Sequence, residues 1–280
     1  MRRIIVLVAL ALGLATVVVA TALAAQPGGG GVDLTAHYPD MRTVVPQHLN
    51  LVNQQQNEYL RFSNGIANTG PGPWALRPEP ALGTAPTVTA MQQIRDSNTY
   101  YKCGEQPKQV TDCYNVLTEF ATSVFEFHPA HNHWHIDDVA LFEVRKGSPT
   151  GSVVGDNSIK TTFCLIDWYK LNDNAPSAER TFFDCYTSYQ GIQSGWVDQY
   201  HQATDGQQVD LTGVPNAEDY YLVSTANADG VFKELDYTNN SAWVKFALRT
   251  GSKGNRKVVV LENSPCEEGT GLCGENTTNR

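Results

Sequence analysis

Four of the chain's seven histidines fall within one run of eight residues, His128-Pro129-Ala130-His131-Asn132-His133-Trp134-His135. That run constrains the local fold more tightly than any other feature. His131, His133 and His135 alternate, so an extended segment projects all three to one face. A helix would instead gather His128, His131 and His135. Pro129 and the aromatic flanks Phe125, Phe127 and Trp134 favour the strand. Three imidazoles on one face pack poorly as apolar groups and repel one another when protonated. A shared metal ion removes both difficulties, and imidazole-only ligation suits copper, zinc, iron or nickel rather than magnesium or calcium. The competing reading is a solvated polar edge. The zinc-protease pattern His-Glu-x-x-His is absent. A cupin would need a Glu soon after the His-x-His pair, whereas the first Glu beyond this run is Glu143.

Elsewhere helical periodicity is poor, and strand-like segments bounded by turn residues are frequent. Residues 59–62, 123–127, 139–144, 160–166, 219–225 and 242–248 read as strands, and Val258 to Leu261 is a last apolar run. The expected fold class is all-β, a β-sandwich-like core with long functional loops, little helix and disulfide staples. Residues 69–87 carry Pro71, Pro73, Pro78, Pro80 and Pro86 and are predicted to be a loop, as are residues 169–179. One catalytic domain is expected over residues 38–250, followed by a C-terminal extension over 251–280.

The N-terminus sets the compartment. Arg2 and Arg3 precede an uncharged, largely apolar run that ends in Ala22-Leu23-Ala24, with Gln26-Pro27 and four glycines after it. A basic start, apolar middle and small-residue end describe a secretory signal peptide over residues 1–25, with a flexible linker over 26–37. An uncleaved anchor of similar length is the alternative. Either way the globular part is expected to be extracellular. Its six cysteines, an even number in an exported chain, read as disulfides. The short-range set Cys103–Cys113, Cys164–Cys185 and Cys266–Cys273 is the expected connectivity. A net charge of −9 argues against nucleic acid as a partner and modestly favours cationic ones.

The run F-H-P-A-H-N-H-W-H-I-D-D-V-A-L-F-E-V resembles the copper segment of the lysyl oxidase family. The resemblance implies His131, His133 and His135 as copper ligands, with His128 matching a family histidine outside the three. Animal members have a cysteine where Ala130 stands. Downstream, S-I-K-T-T-F-C-L-I-D is similar to the family's cofactor-lysine segment and G-W-V-D-Q-Y-H to its cofactor-tyrosine segment. This places a self-derived lysine tyrosylquinone on Lys160 and Tyr200, although Trp196 replaces a family cysteine. Asp198, two residues before Tyr200, is a candidate base by proximity. E-L-D-Y-T-N-N resembles the family's calcium loop, which implies Asp40, the Met41 carbonyl, Glu234, Asp236, Asn239 and Asn240 as calcium ligands. Similar turns also occur in adhesion-type modules without calcium.

The resemblance implies a secreted enzyme that oxidises primary amines, free or on protein lysine side chains, to aldehydes. Dioxygen is the oxidant, and hydrogen peroxide and ammonia are released. Two other functions share parts of the pattern. A non-catalytic extracellular copper-binding protein needs the histidines but neither Lys160 nor Tyr200. An adhesion-type β-sandwich module needs none of the three.

Overall fold

The structure is a computed structural model that describes residues 32–96, 115–129, 131–176, 180–186 and 189–275, with the backbone alone over 155–160. A short 3-10 helix at Leu34–His37 is capped by Asp33, whose carboxylate accepts from the Thr35 N–H. The strands that follow are β1 (Met41–Thr43), β2 (Gln47–Gln54), β3 (Asn57–Asn68), β4 (Trp74–Glu79) and β5 (Thr87–Arg95). Next come β6 (Val116–His128), β7 (His133–Lys146), β8 (Val153–Phe163), β9 (Tyr169–Lys170) and β10 (Gln190–Ile192). The last are β11 (Trp196–Tyr200), β12 (Gln208–Asp210), β13 (Ala217–Ala226), β14 (Ser241–Thr250) and β15 (Arg256–Asn263).

Two antiparallel sheets result. In the smaller, β1, β2, β11 and β12 all pair with β3, and β9 extends it beyond β11. The larger runs β10-β4-β5-β6-β7-β13-β14-β15, with β8 paired to β7. Alternating apolar residues turn one face of each sheet toward a shared core. Phe62 of β3 meets Phe142 of β7 edge-on at 4.8 Å, and both are fully buried. The Thr43 hydroxyl of β1 lies 2.7 Å from that of Ser224 on β13, a polar tie between the same two sheets. This is the expected all-β sandwich architecture.

The proline-rich segment departs from expectation, because β4 lies inside residues 69–87. Trp74, Ala75 and Leu76 are fully buried, and their burial outweighs the turn chemistry around them. Among the described residues β10 pairs with Trp74 to Leu76 and not with Pro78, a position where a residue without an N–H is tolerated. The strand expected over 160–166 ends at Phe163, and Tyr169–Lys170 forms a short strand where only loop was predicted. Residues 256–263 of the C-terminal segment join the larger sheet as β15, and Val45 N–H donates to the Leu272 carbonyl. Cys164–Cys185 and Cys266–Cys273 are bonded as expected. The expected Cys103–Cys113 pair lies outside the described residues, as does the 1–25 leader. No helix among the described residues is long and apolar enough to cross a membrane.

Candidate metal centre

The histidine run does not lie on one straight strand. His128 closes β6, and its carbonyl accepts from both His131 N–H (3.1 Å) and Asn132 N–H (2.9 Å). Asn132 has φ +56°, a left-handed conformation that asparagine adopts more readily than most residues. The chain thereby reverses, and His133 opens β7 directly opposite His128. Trp134 and Ile136 belong to the core, Trp134 meeting Phe127 edge-on at 5.5 Å, so the alternating His133 and His135 project to the other face. His131 reaches the same place from the turn.

Three ring nitrogens converge there. His135 Nε2 lies 2.9 Å from His133 Nε2 and 3.3 Å from His131 Nδ1. Nitrogens that share an ion at about 2.0–2.1 Å sit roughly 3 Å apart, so the two spacings from His135 suit a common metal, and all three atoms lie within 4.8 Å of one another. Among the described residues this is the one group of three His, Cys, Asp or Glu side chains so arranged. His128 stacks on His131 (4.3 Å between ring centroids) and on His135 (4.9 Å). Burial, aided by His128 and opposed by Asp205, holds the His131 ring below the usual imidazole range, which favours the neutral, ligating form. His135 is almost fully buried, and its Nδ1 lies 2.9 Å from the Thr162 hydroxyl. That contact fixes the ring and leaves Nε2 for a metal. A cavity of about 190 Å³ opens beside the cluster, bounded by His128, His131 and His135 and by Thr161 and Thr162 of β8.

Lys160 also lies on β8, its backbone opposite Leu141 of β7 and two residues before Thr162. Tyr200 ends β11, opposite Asn64 of β3. Its ring meets Phe163 edge-on at 4.4 Å, and its hydroxyl accepts from Cys164 N–H (2.8 Å) and donates to Cys164 C=O (3.2 Å). Residues 162–164 therefore touch both candidate groups: Thr162 holds His135, while Phe163 and Cys164 hold Tyr200 on the core side. Asp198 is buried on β11, and its charge helps to raise the Tyr169 phenol, an effect led by burial and Glu275.

The acidic loop forms two linked knots. Asp40 accepts from Asn239 Nδ2 (3.1 and 3.3 Å), Asp236 N–H (3.2 Å) and the Thr69 hydroxyl (2.6 Å). Buried Glu234 accepts from Met41 N–H (2.8 Å), Asn240 Nδ2 (2.7 Å) and Asn227 Nδ2 (2.5 Å). Burial raises the Glu234 carboxyl, while these donors pull it down. The Asp236 carboxylate instead caps Thr238. Two buried amide oxygens, Asn239 Oδ1 and Asn240 Oδ1, have no hydrogen-bond partner among the described residues. An all-oxygen set with unfilled acceptors fits a calcium ion.

Sequence reasoning did not single out Thr162, Phe163 or Gln190. Gln190 Nε2 donates to Trp134 C=O (2.6 Å) and its Oε1 accepts from Leu165 N–H (3.1 Å), tying β7 to the chain beyond β8. Their residue types alone do not reveal these contacts, which depend on where the strand pairing places each side chain.

The lysyl oxidase family model matches residues 98–259. This chain belongs to the lysyl oxidase family. The match includes the histidine run, Lys160, Tyr200 and the loop from Glu234 to Asn240, but not Asp40 or Met41. Lysyl oxidase homolog 2 of Bos taurus is 33% identical over 115 residues, which is 41% of this chain and 14% of that relative. The matched region is thus a small part of the longer protein.

Proposed function

We propose that this chain is a secreted, copper-dependent amine oxidase acting on primary amines, either small amines or lysine side chains of proteins. The observation that carries this reading is the convergence of three imidazole nitrogens in a member of the lysyl oxidase family. His131, His133 and His135 would hold copper. Lys160 and Tyr200 would form the cross-linked lysine tyrosylquinone. When present, such a quinone supplies the electrophilic carbonyl and electron sink that amino acid side chains lack.

The chain's own residues supply position and protonation state. Thr162 orients His135 by accepting or donating at Nδ1. Burial keeps His131 neutral and ready to ligate. Phe163 and the Cys164 backbone hold Tyr200 at 6% exposure, away from bulk water, with its hydroxyl engaged. Lys160 and Thr162 lie on β8, Phe163 ends it and Cys164 follows, so one segment carries Lys160, the Thr162 contact to His135 and the Phe163 and Cys164 contacts to Tyr200. We assign calcium to Glu234, Asp40, Asn239 and Asn240, with the Met41 carbonyl and Asp236 completing the set.

Peroxide release is the test. Copper-loaded, aerobically matured protein is expected to release hydrogen peroxide with a primary amine, and His133→Ala and Lys160→Arg are each expected to abolish it. Wild-type protein that binds copper at the histidines yet oxidises no amine would favour copper binding without catalysis.

A further inference from the structure

The cavity beside the histidine cluster has one further wall, the turn carrying Asp205 and Gly206. From it we infer that Asp205 is the ammonium anchor of the site: its carboxylate receives the incoming primary amine as a cation and sets the preference for cationic substrates. This inference rests on the oxidase reading given above and adds to it a specificity-determining residue.

The turn is a built structure. It begins directly after Tyr200 and returns to β3 at β12, so β11 and β12 both pair with β3 and the loop bridges the gap between them. Thr204 N–H donates to His201 C=O (2.9 Å) and Gln207 N–H to Thr204 C=O (3.2 Å). Arg61 donates to the Thr204 carbonyl (2.7 Å). Gly206 has φ +87°, a conformation open to glycine, and this sharp turn sets Asp205 at the cavity. The guanidinium of Arg61 thus holds the turn through its backbone. Asp205 itself has no ion pair or hydrogen bond among the described residues.

The chemistry of the lining points to a cation. Asp205 is the only acid among the described lining residues, and its charge is felt at His131. Thr161 Oγ1 and His128 Nδ1 are buried, belong to residues of this lining and have no hydrogen-bond partner among the described residues. Buried polar atoms in a native structure are nearly always paired, so these two are available to a bound molecule. An alkylammonium titrates near the lysine value of about 10.4 and arrives charged at neutral pH with three N–H donors. The three imidazoles and two hydroxyls of the lining offer it hydrogen bonds but no carboxylate. Asp205 supplies that charge, at the mouth rather than at the base of the cavity.

The test separates binding from turnover. Full-length chain loaded with zinc, which occupies imidazole sites without redox chemistry, is titrated at pH 7 with butylammonium and with its uncharged counterpart 1-butanol, followed by ligand-detected NMR. Wild-type protein is expected to prefer the cation. Asp205→Asn is expected to weaken butylammonium roughly threefold to tenfold, as for loss of a partly screened charge pair, and to leave 1-butanol unchanged. Asp205→Glu is expected to keep the preference. A wild-type chain that binds both alike overturns the anchor. So does an Asp205→Asn chain that keeps the preference, or one that weakens both ligands equally. Phenylhydrazine capture by copper-loaded wild type reports separately on the oxidase reading. Capture without cation preference removes only the anchor, and cation preference without capture removes only the oxidase reading.

Discussion

Replacing Thr162 by valine removes the hydroxyl 2.9 Å from His135 Nδ1 and keeps the shape of the side chain. The consequence differs between the metal-free and metal-bound states. Without metal, His135 can carry its proton on Nε2 and share it with His133 Nε2, 2.9 Å away, so the lost partner at Nδ1 costs little. With metal on Nε2, the proton must sit on Nδ1, and in the variant that buried donor loses the Thr162 hydroxyl as its acceptor. An unsatisfied buried donor costs about 1–3 kcal/mol. At about 1.4 kcal/mol per tenfold, the binding constant falls roughly fivefold to a hundredfold. Thr162 is only half-buried, so water offsets part of the loss and the expected value lies near the low end, about tenfold. Chelator-competition titration of copper gives the affinity, and thermal unfolding of the metal-free protein is the control. An affinity within about twofold of wild type would refute the tautomer argument, as would a loss of metal-free stability that matches the loss of affinity.

Phe142→Ala removes the ring that meets Phe62 across the two sheets at 4.8 Å, and its loss should cost about 3–5 kcal/mol in urea unfolding. Calcium should raise the melting temperature of wild type in proportion to the logarithm of its concentration, and Glu234→Gln should remove most of that rise in a thermal-shift titration against a chelator. Asp167 is fully buried, and burial pushes its carboxyl up to about 7 against backbone N–H bonds from Gln193, Phe182 and Thr181. A raised folded value means that the native state holds the proton between about pH 4 and 7, so this group's contribution to stability is full below pH 4 and is lost as pH rises through 7. Urea unfolding across that window should show the decline in wild type and a flatter profile in Asp167→Asn.

The sequence made legible what depends on residue type and local order. Strand positions over β3, β6, β7, β13 and β14 follow from alternation, and the two described disulfides match the expected short-range pairing of an even number of cysteines. The histidine cluster was legible because imidazoles crowded into so short a run gain little from apolar packing and repel one another when charged, and a shared ion would relieve both. Features set by partners distant in the chain were not legible. β4 hides among prolines because its burial depends on β5 and β10. The reversal at Asn132 changes how His131 reaches its neighbours, although the three histidines that converge are the ones expected. Thr162, whose hydroxyl holds His135, is brought there by strand register, and Cys164 holds the Tyr200 hydroxyl through its backbone; neither placement is written in the local sequence.

Peptide mass spectrometry on copper-loaded, aerobically matured protein, with and without phenylhydrazine, bears most directly on the proposed chemistry. A Lys160–Tyr200 cross-linked peptide that gains the mass of the hydrazine is the expected result. Two separate, unmodified peptides from fully copper-loaded protein would contradict it.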